Sequence, residues 1–188
     1  KPLICASGRF HFYEEFSIEE ITLPVSVVHL LGCESLIITN AAGCLKKEWQ
    51  VGDFMLIKGY LDYTFRENLC SPKIVSIAKN VDKLKKIQEA ASDLNIVLRE
   101  GIYAWALGPS YETPAEIQDI ISLGGNAVGM STVPEMMKAH ELGLDIIGIS
   151  CLTNYGAGME GKKLSHEDVL ETSNQMKKEF SRLVIEIM

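Results

Sequence analysis

The sequence has little cysteine chemistry to offer. Cys5, Cys33, Cys44, Cys70 and Cys151 form no CxxC pair and keep no regular spacing. That argues against a disulfide scaffold, and thiols set in apolar runs such as "LICAS" and "GISCLT" read as reduced side chains of a cytoplasmic protein. No apolar run reaches the length of a bilayer span, and no signal peptide is visible. Positive charge is the minority: 18 Lys and Arg face 25 Asp and Glu, for a net charge of -7 and a pI of about 5.2. A nucleic-acid polymer calls for a basic face, so it is excluded as the main partner, whereas a small anion in a locally positive pocket is not. Ser- or Pro-rich linkers, repeats and low-complexity tracts are also missing, which leaves one domain over residues 1–188 as the expectation.

What is present is a soluble composition, 47% hydrophobic and 23% charged, in a chain of 188 residues that can bury a substantial core. Short apolar runs alternate with helical segments. "PLICAS", "SLIITN", "DFMLIKGYL", "GIYAWAL", "NAVGM" and "LDIIGISCLTN" read as buried strands. Thr113-Pro114-Ala115-Glu116 is a capping box with Pro at the first helical position, and Thr132-Val133-Pro134-Glu135 repeats it. "LPVSVVHLLG", residues 79–94 and a last segment opening at Ser165 and running to Met188 complete the helices. The expected class is α/β: three layers, with a central mixed, mostly parallel sheet flanked by helices.

In such folds ligands bind beyond the carboxyl ends of the strands, so the residues after each strand are the candidates. After the first run, Arg9, His11 and Tyr13 alternate and would share one face of an extended segment. They suit either a phosphate or a surface ion pair. "NAAGC", residues 40–44, suits close backbone approach to an anion, and equally a tight turn. "GPSYET" places Tyr111 and Glu112 before a helix, where a carboxylate also serves the dipole. "GMSTVPE" offers Met130 as a soft wall and Ser131 as a hydroxyl; Thr132 and Glu135 are assigned to capping, and His29 and His140 to structure. Asn154 ends a central strand, and a buried amide there needs partners. It both donates and accepts, as the edge of a purine requires. His166, in a first helical turn, has exposure as its ordinary explanation.

Together, "GRFHFYE", "TNAAG", "VGDFMLI", "GPSYET", "AVGMSTVPE" and "GISCLTN…SHEDV" resemble the trimeric class of purine nucleoside phosphorylases, in family order along nearly the whole chain. The resemblance implies a homotrimer that phosphorolyses 6-oxopurine nucleosides in purine salvage, with inorganic phosphate as co-substrate and no cofactor or metal. It assigns phosphate contacts to Arg9, His11, the Ala41 backbone and Ser131. It assigns the ribose site to Tyr13, Tyr103, Met130 and His166, and the base site to Ala42, Gly43, Tyr111, Glu112, Val128 and Asn154. Asn154, Glu112 and His11 carry the chemistry. An Asn at 154, where a branch acting on 6-aminopurines has Asp, implies a 6-oxo substrate.

The chain departs from the family in lacking its N-terminal Gly-Ser-Gly-Leu-Gly phosphate loop, and the expectation is that these residues belong to a longer protein. The run "GYLDYTFRENLCSPKIV" is short and lacks the family's Arg-Phe-Pro pattern; Phe65 is the candidate to replace its inter-subunit Phe. Glu15 and Cys44 stand where the family has Gly, and "KGYLD" replaces a polar run. A relative that binds purine without turnover is the alternative.

Overall fold

A computed structural model describes residues 3–65, 74–77, 81–160 and 166–188, with the backbone alone at 81 and 166–168. Cys70, Ser165 and most of the shortened loop lie outside the described residues. In chain order the elements are a 3-10 turn at Phe12–Glu14, α1 Ile18–Leu30, β1 Ser35–Cys44, β2 Phe54–Asp62, β3 Ile74–Ser76, α2 Val81–Asp93, β4 Leu98–Trp105, α3 Pro114–Ser122, β5 Ala127–Gly129, α4 Val133–Glu141, β6 Asp145–Tyr155 and α5 His166–Ile187.

The strands form one mixed sheet in the order β3-β2-β4-β5-β1-β6. The long ladders, β1 with β6 and β2 with β4, run parallel. The Phe54–Leu56 end of β2 also pairs antiparallel with Ile149–Cys151 of β6, so the sheet curls shut on itself. Continuous apolar strands allow this, because every face is covered. Phe54, Leu56, Ile147 and Ile149 pack with Ile87 of α2 and Leu183 of α5. Ile38, Met55, Tyr103 and Trp105 pack with Met136 of α4. Leu61, Ala104 and Val128 pack with Ile117 and Ile120 of α3.

The α/β class with a helix-flanked mixed sheet is what the pattern predicts. Five local readings change. "PLICAS" is not a strand: residues 3–10 are irregular and mostly exposed, because no described strand offers them a ladder. "NAAGC" is not a turn but the end of β1, paired with β6 through a register shift between Ala42 and Gly43. The first helix starts upstream of the predicted one, since Ser17 and Glu20 cap each other and Pro24 is tolerated inside the helix. His11 to Glu14 is a tight turn rather than extended chain: the Glu14 carboxylate accepts the His11 N–H at 2.7 Å. The edge strand β3 carries no alternating signal in the sequence.

Candidate active site

The carboxyl ends of β1 and β6 meet the middle of the antiparallel strand β5 at Gly43. It is the register partner of Val128 on one side and Asn154 on the other. A Cβ on Gly43 would stand 3.3 Å from both Asn154 Nδ2 and Val128 Cγ1, so glycine is what lets the two side chains close on one spot. The Asn154 amide is oriented by its neighbours. The Thr153 hydroxyl donates to Oδ1 at 3.0 Å, and Nδ2 donates to the Tyr155 carbonyl at 3.0 Å. The second Nδ2 hydrogen remains for an acceptor.

Glu112 lies in the loop between β4 and α3. Thr113 and Glu116 cap α3 reciprocally, and this holds the loop's end in place. The Glu112 Oε1 atom is enclosed and has no hydrogen-bond partner among the described residues. Burial pushes its carboxyl above the ordinary value, against the pull of its own backbone N–H, with Glu116 adding repulsion. A buried, unpaired acceptor is a group that a ligand donor completes.

Arg9 reaches from the N-terminal arm into the turn between β5 and α4. Its Nη1 donates to Ser131 Oγ at 2.8 Å and to Thr132 Oγ1 at 2.9 Å, its Nη2 donates to the Thr39 carbonyl at 2.6 Å, and its Nε lies 3.4 Å from the Glu135 carboxylate. The remaining Nη2 hydrogen is left for an anion. His11 faces the same cavity as Met130 and Ser131. Its Nδ1 is 3.2 Å from Glu14, and its ring stacks on Tyr13 with centroids 4.8 Å apart.

In the turn after β4, the absence of a side chain at Gly108 lets Met130 and Tyr13 approach the backbone together. A Cβ there would stand 2.5 Å from Met130 Sδ and 2.8 Å from Tyr13 Cδ1. The Tyr13 phenol is pushed up by burial first, then by Glu14 and Tyr111. Tyr111 is 39% exposed. Tyr103 is fully buried and backs the site from behind, its hydroxyl accepting the Ser131 N–H at 3.4 Å.

The structure thus gathers Arg9 with Ser131, His11 with Tyr13 and Met130, and Asn154 with Gly43 and Val128. Ala41 is exposed and Ala42 buried beside them in β1. The side chain of His166 lies outside the described residues, as does most of the loop beyond Phe65. Phe65 itself packs edge-on against Tyr63 at 4.9 Å. Thr132 and Glu135 do more than the capping the sequence suggests, since both bind Arg9. The signal for them was their place directly after Ser131, hidden by an equally good helix-start motif. Among the described residues no group of three or more His, Cys, Asp or Glu side chains is placed to hold a metal ion, and no helix is long and apolar enough to cross a membrane.

A family model described as the phosphorylase superfamily matches residues 16–188. Purine nucleoside phosphorylase 1 of Bacillus subtilis (strain 168) is 41% identical over 97% of this chain and 70% of its own length. Purine nucleoside phosphorylase of Rattus norvegicus is 35% identical over 100% of this chain and 71% of its own. A crystal structure of a schistosoma purine nucleoside phosphorylase in complex with hypoxanthine superposes with a TM-score of 0.86 at 31% identity, covering 96% of this chain and 70% of that one. Another, of the Schistosoma mansoni enzyme in complex with inosine, gives 0.84 at 31% identity over 96% of this chain and 71% of that one. The chain therefore belongs to the phosphorylase superfamily, among its purine nucleoside phosphorylases.

Proposed function

We propose that this chain carries out phosphorolysis of 6-oxopurine nucleosides, yielding free base and (deoxy)ribose 1-phosphate. The observation that carries the reading is the convergence of the Asn154 amide on Gly43 and Val128, at the end of the same strand, β1, whose Thr39 carbonyl holds Arg9. One strand end therefore serves an anion and a heterocycle side by side.

Cleaving the glycosidic bond puts positive charge on the ribose and negative charge on the departing purine. An anion held by Arg9, His11, Ser131 and the Ala41 backbone stabilises the first. The spare Nδ2 hydrogen of Asn154 donates to the purine as its charge develops, while Glu112 Oε1, which has no partner among the described residues, accepts from the N1–H edge. A preorganised donor of this kind lowers the barrier by about 3–4 kcal/mol. Tyr13 and Met130, with His166, hold the sugar, while Tyr103, assigned there by the resemblance, is buried behind them; Tyr111, Ala42, Gly43 and Val128 wall the base. Phosphate is a co-substrate, and the scheme calls on no cofactor or metal. An active homotrimer in the cytoplasm, with residues 1–188 as one domain, completes the proposal.

The test is inosine with inorganic phosphate, following hypoxanthine release. Phosphate-dependent release is the expected result. Binding of purine without any release would replace the reading with a catalytically impaired relative.

A further inference from the structure

The turn after β5 carries more hydrogen bonding than starting α4 requires. Thr132 is fully buried and sits at φ 75, ψ -47, with the Val133 N–H closing onto the Ser131 carbonyl at 2.8 Å. This is a γ-turn at positive φ, strained for a β-branched residue. Such strain persists where the surroundings over-determine it, and it clusters at functional sites. Here the Glu135 carboxylate accepts the Thr132 N–H at 3.1 Å. Thr132 Oγ1 accepts from Arg9 Nη1 at 2.9 Å and from Asn40 Nδ2 at 3.0 Å.

Lone pairs then fix the direction of the remaining contact. A hydroxyl carries a single hydrogen and a pair of acceptor sites. Both acceptor sites of Thr132 Oγ1 are occupied, so in its 3.1 Å contact with Ser131 Oγ it is the donor. Ser131 Oγ therefore accepts from Thr132 and, at 2.8 Å, from Arg9. Arg9 has no lone pair and cannot reverse its end of the chain. The Ser131 hydrogen is then left for the buried Tyr103 hydroxyl behind it, which already accepts the Ser131 N–H, or for a group in the cavity shared with His11 and Met130, where Ser131, unlike Thr132, is partly exposed.

We propose that Thr132 is a positioning residue for the anion: by donating to Ser131 Oγ it keeps the Ser131 hydrogen off Thr132 and turns it, in preference to Tyr103, toward a phosphate oxygen. The inference rests on the phosphorolysis reading, but it is read separately through phosphate binding. Thr132→Val keeps the branched shape and deletes the hydroxyl, whereas Thr132→Ser keeps the hydroxyl. With the full chain, calorimetric titration of inorganic phosphate and the phosphate KM should both weaken about tenfold in T132V, the worth of one hydrogen bond. The nucleoside KM should stay within about twofold, T132S should restore phosphate, and the T132V effect should vanish in a Ser131→Ala background, since coupled groups are not additive. Unchanged phosphate binding, equal loss for both substrates, or an effect that survives without Ser131 would each overturn the proposal. If T132V does not fold, neutron diffraction of the unsubstituted chain with phosphate decides it, by showing whether the Ser131 deuterium points to phosphate or back to Thr132 or Tyr103. A wild-type chain that binds phosphate but releases no base removes the functional reading and leaves the affinity comparison standing. One that binds no phosphate overturns this inference.

Discussion

Glu112→Gln should make the chain more stable and less active at once. Burial raises the Glu112 carboxyl above its ordinary value, and its enclosed Oε1 has no partner among the described residues. A raised folded-state value means that the folded chain holds this proton more tightly than the unfolded one. The contribution of Glu112 to stability is then complete below the ordinary glutamate value and is lost as pH rises through the higher folded one. As pH rises the wild type takes on the penalty of a charged, enclosed oxygen with no partner among the described residues, and an amide of the same shape carries less. The difference is about 1–2 kcal/mol, or roughly 2–8 °C in Tm for a chain of this size. Differential scanning calorimetry across pH should show Q above wild type at neutral pH, with the gap closing near about pH 4. The same change removes a charged acceptor from the purine edge, so kcat/KM for inosine should fall about 10–100-fold. A variant equally stable at neutral pH, or more stable by the same amount at every pH, would refute the buried-charge argument; an unchanged kcat/KM would remove Glu112 from the base site.

Asn154→Asp exchanges the spare donor for a second acceptor, so hypoxanthine release from inosine should drop by about 10²–10³ while adenosine loses less, which a side-by-side spectroscopic assay reads directly. Gly108→Ala places a Cβ at φ 73 within 2.5 Å of Met130 Sδ. It should cost about 1–3 kcal/mol in denaturant unfolding and raise the nucleoside KM. Burial pushes the Cys151 thiol up to about 11 and Cys5 is exposed, so brief alkylation at neutral pH, mapped by mass spectrometry, should label Cys5 well before Cys151.

Much of the architecture was legible because its causes are local. The Thr113–Glu116 box and Pro114 set the start of α3, and the mostly apolar run 146–152 reads as a strand covered on both faces, as β6 is. Chain ends and edges were less legible. "PLICAS" has the composition of a strand, but a strand also needs a neighbour, and that lies outside its own letters. The 40–44 segment has the composition of a turn, yet β6 keeps it extended. At the site, Arg9, Glu112, Ser131 and Asn154 could be named from residue type and position after a strand, since their chemistry is intrinsic to the side chain. Thr132 and Glu135 could not, because a capping motif explained them fully. Only the folded arrangement shows Arg9 arriving from more than a hundred residues away to bond a buried threonine. The sequence by itself determined which groups were available and where each chain segment would bend or extend. Tertiary structure decided which donors face which lone pairs, because hydrogen-bond direction depends on every neighbour of an atom at once, and those neighbours come from distant parts of the chain.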